Sequence, residues 1–478
     1  MTKQHTKRDL PKKSENISDW YNRVVMLSEL ADYGPARGTM IFRPYGYRVW
    51  ELMQAFMDRL IKEKGVDNAY FPMFIPMSLL EKEEEHVEGF SPELAVVTHG
   101  GGEELAEKLA VRPTSETIMY DSYSRWIQSW RDLPVLINQW NNVVRWEKRT
   151  YLFLRTSEFL WQEGHTAHAT HDEAWDYVLW AMDMYKETYE KMYALPGIVG
   201  KKSASEKFPG ALETLTFESL MPGGKALQSC TSHDLAQNFS VPFDITFLDR
   251  EGEQQHVWQT SWGFSTRSMG GFILAHGDDQ GLVIPPAVAP YQVVILQVHE
   301  TDEVATVVNN LASELKTAGI RFTIDNREGE SLGYKINKWE LKGVPVRVEI
   351  GSKEATEGKL TAVRRDNGEK STVAQDNAAV GINELLQTIQ QNLYNRALQF
   401  QDDNTHVVDD YEEFRRVMDH ERGFIRAMWC EDASCEASIK EETKATTRCL
   451  PLDAQEEDGK CVYCGKPARH RWYFALAY

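Results

Sequence analysis

No run of apolar residues in this chain approaches the roughly 18 residues that a membrane-spanning helix needs. Residues 1–15 carry several basic side chains, but no apolar core follows them, so we do not expect a secretory leader. Hydrophobic residues make up 42% of the 478 residues and charged residues 26%, which is ordinary for globular proteins. We therefore expect a cytoplasmic protein of two to four domains with no membrane partner.

Cysteine is nearly absent from the first 429 residues. Only Cys230 lies there, and the other five of the six cysteines follow. An intracellular metal site explains this clustering better than disulfides do. Two pairs, spaced C-x4-C and C-x2-C, supply four thiolates for a closed tetrahedral site, which predicts structural Zn²⁺. The predicted ligands are Cys430, Cys435, Cys461 and Cys464.

Positive charge is in deficit. The chain has 53 Lys and Arg against 72 Asp and Glu, a net charge of −19. Taken alone, this balance speaks against a nucleic-acid partner, because phosphate binding is driven by positive charge. Residues 291–400, however, hold 13 basic and 15 acidic side chains, so the acidity lies mostly elsewhere. The net charge is therefore only a weak objection to nucleic-acid binding.

The spacing of apolar residues predicts an α/β protein in which helices and strands are mixed along the chain. Before residue 290 we predict helices over 19–33, 49–64, 118–130 and 170–195, and strands over 68–76, 135–146 and 151–159. Beyond it, a helix over 302–318 alternates with strands over 293–298, 320–325 and 344–350, which predicts a small α/β domain. The predicted domains are residues 1–289, 290–400 and 401–478.

The strands over 135–146 and 151–159 would form an antiparallel pair. Arg145 and Glu147 would lie on one arm, with Arg155 and Glu158 near the other. A guanidinium is a planar fork that keeps its charge, so two of them at fixed positions suit the phosphates of a nucleotide. For the Arg-x-Glu pattern alone, a hairpin with surface salt bridges is the commoner explanation.

The longer wording of this region resembles motif 2 of class II aminoacyl-tRNA synthetases. The matching words are Arg145-Trp146-Glu147, Phe153-Leu154-Arg155 and the run from Glu158 to His165. The ending Trp-Gln-Glu-Gly-His is similar to prolyl-tRNA synthetases of the archaeal and eukaryotic type. Segments that resemble other motifs of this family lie at 38–46 (motif 1), 112–116, 223–233 and 262–270 (motif 3). The resemblance covers about 19–478 and implies a catalytic antiparallel sheet with helices, an anticodon-binding domain and a zinc-binding C-terminal domain.

The resemblance implies a homodimeric ligase that activates L-proline with ATP and Mg²⁺ and transfers the prolyl group to tRNA(Pro). Catalysis would rest on charge placement by Arg145, Arg155 and Arg267. The implied ATP contacts are Arg145, Glu147, Arg155, Thr156, Phe159, Gln228, Thr231, Ser265 and Arg267. The implied proline contacts are Thr114, Glu116, Arg145, Glu163, His165 and His233. The implied tRNA contacts are Glu340, Lys342 and Arg347.

Several of these residues have a plainer explanation when taken singly. Thr114 to Glu116 is also what a helix start looks like. A lone histidine such as His233 is more often structural. An Arg347 on a strand can as well be a surface charge as a reader of guanine.

The chain departs from the family pattern at two positions, because Cys230 stands where a small residue is usual and Ala287 where a basic one is. The final Tyr478 resembles a family tyrosine whose carboxylate folds back towards the active site. Bacterial-type relatives carry a large editing insert between motifs 2 and 3. Arg155 and Arg267 are only 112 positions apart here, so we expect no such insert.

Two other functions remain open. A threonyl-tRNA synthetase would place a catalytic zinc in its pocket, and no suitable Cys/His/His set stands between Thr114 and His233. A non-enzymatic relative that binds tRNA or regulates a partner would not need the arginines of motifs 2 and 3, which are all kept.

Overall fold

The computed structural model describes residues 9–82, 94–298 and 301–478. Its helices are α1 (Ile17–Leu27), α2 (Pro44–Glu63), α3 (Met77–Leu80), α4 (Glu116–Trp126), α5 (His171–Tyr193), α6 (Arg267–His276), α7 (Asp302–Thr317), α8 (Leu332–Leu341), α9 (Ser352–Glu357), α10 (Ala378–Asp403), α11 (Tyr411–Arg416) and α12 (Ala433–Thr443). None of the helices in these ranges combines the length and the apolar composition that crossing a membrane requires.

The first fourteen strands precede residue 290. They are β1 (Ala31–Tyr33), β2 (Met40–Phe42), β3 (Asp67–Asn68), β4 (Phe74–Pro76), β5 (Ala95–Gly100), β6 (Glu103–Val111), β7 (Val135–Val144), β8 (Glu158–His168), β9 (Ile198–Lys201), β10 (Glu213–Met221), β11 (Lys225–Ala236), β12 (Thr246–Leu248), β13 (Gln254–His256) and β14 (Trp258–Ser265). The others are β15 (Val293–Gln297), β16 (Phe322–Asp325), β17 (Val346–Ile350), β18 (Lys359–Arg364), β19 (Lys370–Ala374), β20 (Thr405–Val407), β21 (Phe424–Trp429), β22 (Thr446–Pro451), β23 (Gly459–Lys460), β24 (Pro467–Ala468) and β25 (His470–Ala477). The predicted mixed α/β class is confirmed.

One large sheet of eleven strands organises the molecule. Its order is β20-β21-β25-β22-β9-β10-β11-β14-β8-β7-β3, and the pairs from β9 to β7 are antiparallel. Strands from the end of the chain thus extend a sheet that begins near its start. The joint is the pairing of β22 with β9, where Leu450 lies opposite Lys201 and Pro451 opposite Gly200. Strand β25 adds a short parallel pairing with β11.

Helix α5 lies against the large sheet and supplies much of its core. Thr170 caps the helix, because its side chain accepts a hydrogen bond from the Glu173 amide, as the capping-box pattern predicts. Tyr185 and Tyr189 are fully buried and pack around Phe264 of β14. Each such side chain contributes about 1.5–3 kcal/mol by leaving water. This helix covers one face of β8, β14 and β11 and leaves the other face for a site.

A second, smaller sheet follows residue 290, with strand order β16-β15-β17-β18-β19. Helices α7 and α10 pack on it, which agrees with the predicted small α/β domain. It is joined to the preceding part of the chain by Arg365, whose guanidinium donates to both carboxylate oxygens of Asp278 at 2.8 and 2.7 Å. Asp278 comes two residues after α6 ends.

The predicted helix over 19–33 is wrong in its last turn. Helix α1 ends at Leu27, Glu29 takes a positive φ of 64°, and β1 pairs with β2. Leu30 is fully buried, and its carbonyl accepts from the Arg43 amide. Leu30 thus fits the helical spacing, but its backbone is used by a neighbouring segment instead of a helix.

The predicted strand over 68–76 is two short strands in different sheets. Strand β3 pairs with β7 in the large sheet, whereas β4 pairs with β6 in a three-stranded sheet. Between them, the carbonyl of Phe71 accepts from the buried guanidinium of Arg112, and its amide donates to the side chain of Gln139. Side chains therefore satisfy backbone groups that a continuous strand would have paired.

The predicted strand over 151–159 is also wrong, because β8 begins only at Glu158. Residues 145–157 form a long loop in which Tyr151 and Arg155 make an isolated bridge and Phe153 has a positive φ of 63°. Leu152 is fully buried, and its carbonyl accepts from the hydroxyl of Tyr21 at 2.8 Å. The apolar residues that suggested a strand anchor the loop to the core.

Candidate active site

The uncovered face of β8, β14, β11 and β10 carries a cavity of about 300 Å³. A second cavity of about 220 Å³ adjoins it under the 145–157 loop, and the two share Arg145, Phe159, Ser265 and Arg267. The predicted site residues lining the first cavity are Thr114, Glu116, Arg145, Phe159, Glu163, Gln228, Thr231, His233, Ser265 and Arg267. Those lining the second also include Glu147, Arg155 and Thr156. Of the predicted ATP and proline contacts, His165 alone lines neither.

Three guanidiniums meet where the two cavities join. Arg145 follows the end of β7, Arg155 lies on the loop, and Arg267 opens α6. Arg267 is held by a hydrogen bond from its Nε to the Leu154 carbonyl at 3.0 Å. Burial lowers the pKa of Arg267, and the positive charges of Arg155 and Arg145 lower it further. Cations held close enough to disturb one another favour an anion between them.

The aromatic wall beside these cations is Phe159 with Trp161. The guanidinium of Arg145 lies 5.6 Å from the centre of the Phe159 ring and 5.5 Å from that of Trp161, within cation–π range. Its Nε donates to the Pro113 carbonyl at 3.0 Å. Arg155 is half exposed and pairs with Glu147 at 3.2 Å. An aromatic face edged by guanidiniums suits a purine and its phosphates.

The opposite end of the larger cavity is acidic. Glu116 begins α4, and its carboxylate accepts from the hydroxyls of Ser261 on β14, at 2.7 Å, and of Thr114. The side chain is almost wholly buried, with the residue only 1% exposed. A buried carboxylate that faces a cavity suits an ammonium group.

Glu163 lines the cavity from β8, but its oxygens are already engaged by protein donors. They accept from the side chains of Ser115 at 2.5 Å, Gln139 at 3.0 Å and Asn141 at 2.6 Å. His165 lies behind it, with Nε2 3.0 Å from a Glu163 oxygen and Nδ1 3.2 Å from the Tyr120 hydroxyl. His165 thus supports Glu163 and does not itself line the cavity, so its contact with proline stays a prediction.

The two histidines predicted to contact proline have pKa values shifted in opposite directions. Burial would lower the pKa of His165, but the hydrogen bond that its ring donates to Glu163 and the charges of Glu116 and Glu163 raise it above its usual value. Burial lowers the pKa of His233 to about 3. Thr214 holds the His233 Nδ1 at 2.9 Å, and Phe208 stacks on its ring at 4.4 Å. His233 is therefore a neutral wall of the cavity.

The residues that support these groups were not among the predicted site residues. Gln139 lies opposite Glu163 in the pairing of β7 with β8, and Asn141, two positions along, donates to the same carboxylate. The group of polar side chains within this strand, at 138, 139, 141 and 142, was the available signal. No comparable pattern marks Ser261, because its partner Glu116 is 145 positions away.

The predicted tRNA residues divide into two environments. Glu340 and Arg347 line a cavity of about 430 Å³ beside the smaller sheet. The Arg347 guanidinium pairs with Glu349 at 2.8 Å and with Glu340 at 3.2 Å. Lys342 does not line that cavity, because its ammonium pairs with Glu29 and lies over the ring of Tyr45.

The four predicted metal ligands come together near α12. Their sulfur atoms all lie within 4.8 Å of one another, with Cys430 and Cys464 at 3.6 Å and Cys435 and Cys461 at 3.7 Å. A tetrahedral ion with Zn–S bonds of about 2.3 Å sets its sulfurs about 3.8 Å apart. The cluster therefore fits zinc. It is the only group of three or more possible ligands found in residues 9–82, 94–298 and 301–478.

Family models match three stretches of the chain. The model described as tRNA synthetase class II core domain (G, H, P, S and T) matches residues 97–276, and one described as Anticodon binding domain matches residues 292–385. A third, described as Prolyl-tRNA synthetase, C-terminal, matches residues 411–478.

Whole-chain relatives decide the family. A proline–tRNA ligase of Chlorobium chlorochromatii is 52% identical over 476 residues, which is 98% of each chain. One of Alkaliphilus oremlandii is 49% identical over 464 residues, 97% of this chain and 96% of that one. The proline–tRNA ligase 2 of Clostridioides difficile is 49% identical over 471 residues, 98% of each chain. The chain belongs to the prolyl-tRNA synthetases.

The resemblance to class II prolyl-tRNA synthetases is thereby confirmed, and with it the class of enzyme. Two departures from the family pattern have a structural setting. Cys230 is buried on β11 at the cavity wall, opposite Phe217 of β10. The Ala287 carbonyl accepts from the guanidinium of Arg321 at 3.1 Å, so a cation is present beside the position where the family has a basic residue.

Proposed function

We propose that this chain activates L-proline with ATP and then transfers the prolyl group to tRNA(Pro). The carboxylate of proline attacks the α-phosphorus of ATP, the bond to pyrophosphate breaks, and prolyl-adenylate forms. The terminal ribose hydroxyl of the tRNA then attacks the activated carbonyl and AMP leaves. The observation that carries this proposal is the pair of adjoining cavities, which have three guanidiniums around their junction and a buried carboxylate at the far end of the larger one.

The cationic end would hold ATP. Arg145 and Arg267 are anchored to backbone carbonyls, so they keep their positions without a ligand. Because they are fixed beforehand, stabilising the charge that builds up on the phosphates costs little reorganisation. Phe159 would lie against adenine, while Gln228 and Thr231, which line the cavity from β11, would contact the nucleotide.

The acidic end would hold proline. The Glu116 carboxylate, oriented by Ser261 and Thr114, can accept from the secondary ammonium of the amino acid. His233 is neutral there, since its pKa is lowered to about 3, and it adds no repulsion. Opposite charges at the two ends orient the proline carboxylate towards the phosphates. Alignment of the two reactants is then the main contribution to rate.

Magnesium and zinc have different places in this proposal. Mg²⁺ is bound mostly through substrate phosphates and one or two carboxylates, and Glu147 is the carboxylate lining the smaller cavity. When bound, it offsets phosphate charge. Zn²⁺ would be held by Cys430, Cys435, Cys461 and Cys464. It would be a structural ion that takes no part in the reaction.

The remaining parts of the proposal concern organisation. We assign residues 1–289 to catalysis, 290–400 to anticodon binding and 401–478 to the zinc domain, and we expect Glu340, Lys342 and Arg347 to face the tRNA. A homodimer is supported by exposed apolar side chains around the motif 1-like segment, Tyr33, Ile41 and Tyr47, each 43–49% exposed. The expected compartment is the cytoplasm, where tRNA is charged.

The test is proline-dependent exchange of pyrophosphate into ATP by the purified chain. We expect exchange with proline and much weaker exchange with threonine. Exchange driven by threonine in place of proline would overturn the substrate. Failure to bind ATP would favour a non-catalytic tRNA-binding role. Light scattering tests the dimer separately.

A further inference from the structure

A short segment between β9 and β10 forms part of the amino-acid end of the cavity. We call residues 202–211 the pocket loop. Four consecutive residues of it, 206–209, line the cavity. Phe208 stacks on His233, and its amide donates to Thr214 Oγ1 at 3.0 Å, the same hydroxyl that contacts His233. The position of the loop therefore sets the position of the histidine wall.

The zinc-binding helix α12 holds the start of this loop. Glu436 is only 5% exposed, and its carboxylate accepts from the hydroxyls of Ser203, at 2.9 Å, and Ser205. The hydroxyl of Thr447 on β22 also donates to it. One turn along the helix, Lys440 pairs with Glu206 of the loop at 3.3 Å.

A second buried contact involves the first residue of the loop, Lys202. Glu218 of β10 is fully buried and accepts from Arg448 of β22 at 2.7 Å and from Lys202 at 3.1 Å. Arg448 belongs to the C-terminal part of the chain, so both ends of this contact are fixed by the joined sheet. Removing one partner from a buried carboxylate paired with two cations strongly destabilises the fold, because a buried charge is left uncompensated. The pocket loop is thus held at Lys202, and Glu436 holds the residues that follow it, Ser203 and Ser205.

We propose that Glu436 is a positioning residue for the proline pocket, acting through Ser203 and Ser205 on Phe208 and His233. This inference rests on the proposed function. A carboxylate that accepts several hydroxyl donors at once fixes the first turn of the loop. The Ser203 carbonyl in turn accepts from the amides of Glu206 and Lys207 at 3.1 and 3.0 Å, which carries that order towards Phe208.

The role should appear in proline binding and not in ATP binding, because the arginines and Phe159 lie at the other end of the cavity. Glu436→Gln keeps the shape of the side chain but replaces one acceptor oxygen by a donor that faces a hydroxyl. We expect KM for proline in exchange to rise about tenfold, with KM for ATP and kcat within about twofold of the unaltered chain. The ratio of alanine to proline use should also rise, since a loosened wall discriminates less.

The matched control is Glu441→Gln, an exposed glutamate on the same helix. It makes the same chemical change outside the contact and should leave both KM values unaltered. Because Glu436 adjoins Cys435, bound zinc per chain is measured for each variant. If Glu436→Gln loses zinc or fails to fold, Ser203→Ala with Ser205→Ala tests the same contact from the loop side, where no cysteine is near in sequence.

Two outcomes of the exchange assay overturn the inference. One is an unchanged KM for proline in folded, zinc-loaded Glu436→Gln while the unaltered chain shows proline-dependent exchange. The other is an equal rise in the KM values for both proline and ATP, which a merely structural role predicts. If the unaltered chain shows no such exchange, the proposed function fails, and tryptic cleavage after Lys207 still tests the contact. If Glu436→Gln is cleaved there faster than Glu441→Gln, the contact between Glu436 and the loop is supported. Equal cleavage rates refute it.

Discussion

Arg267 is a buried cation with two other cations close by. Its pKa is lowered first by burial and then by Arg155 and Arg145. The charged Arg267 side chain therefore destabilises the folded, ligand-free protein, and a bound anion offsets this effect. Charges that are fixed before the ligand binds lower the local stability of the free protein, but they stabilise the bound anion without further rearrangement.

Arg267→Gln should lower kcat/KM for ATP in proline-dependent exchange by roughly 10²–10³-fold, the usual loss when one preorganised donor is removed. Thermal stability of the ligand-free chain should fall little or rise, because a repelled charge is removed together with its one hydrogen bond. Exchange kinetics and thermal unfolding check the two parts. Arg131→Gln, an exposed arginine stacked on Trp130, is the control. Equal losses in both variants would contradict the assignment.

His165 should make stability depend on pH. Its folded pKa is raised above the ordinary value of 6.5 through Glu163 and Glu116, against burial. The contribution of the protonated ring is then fully present below about pH 6.5 and is lost as the pH rises through the raised value. His165→Asn should therefore cost more free energy of unfolding at pH 6 than at pH 9. Urea unfolding at both pH values measures this, and a cost independent of pH would show the ring to be uncharged.

The strand pair β7–β8 shows what the sequence could and could not predict. The arginines of motifs 2 and 3 were expected in one site because the sequence around each of them resembles a motif of the family. The start of β8 was misplaced by seven residues, because Leu152 and Phe153 are buried in the core but belong to a loop and not to a strand. Periodicity reports burial, and it cannot tell a buried loop from a buried strand.

Most supports of the site could not be paired with their partners from local sequence. The hydroxyl and amide side chains that donate to Glu163 stand 22 to 48 positions away from it. The partner of Ser203 is 233 positions away. Hydrogen bonds of this kind depend on which elements the fold brings together, and a single sequence does not contain that information in any local pattern. Elements and motifs were therefore predictable, whereas the contacts that orient them were not.

Around α12, the two cysteine pairs should make folding depend on metal. Cys461→Ser removes one buried thiolate of four, so zinc should be lost or bound weakly and the midpoint of thermal unfolding lowered by several degrees. Proline-dependent exchange per folded molecule should change less than stability does. Metal analysis, thermal unfolding and exchange on the same sample check this. Cys449→Ser, at a buried cysteine outside the cluster, controls for loss of a thiol. Freshly purified chain without zinc would refute the assignment.

Across the whole chain, the space between motifs 2 and 3 bears on accuracy. Residues between β8 and β14 form α5 and strands β9 to β13, all part of the architecture around the central sheet or its edge. A pocket that admits proline also admits alanine, and a missing methylene is worth only about 1–3 kcal/mol of discrimination. We predict that the chain forms some alanyl-adenylate and does not hydrolyse Ala-tRNA(Pro). Incubation with preformed Ala-tRNA(Pro) tests this, with heat-inactivated chain as the control. Deacylation above the control rate would reveal an editing site.

The joined sheet also has a consequence for synthesis. Lys201 of β9 finds its partner Leu450 only 249 positions later. A ribosome adding roughly 5–20 residues per second needs about 12–50 s to make that stretch. During this interval the outer edge of β9 presents unpaired amides and carbonyls, a template on which another nascent chain can add a strand. Translation speed through the second half of the message therefore sets how long the growing chain must be protected from its neighbours.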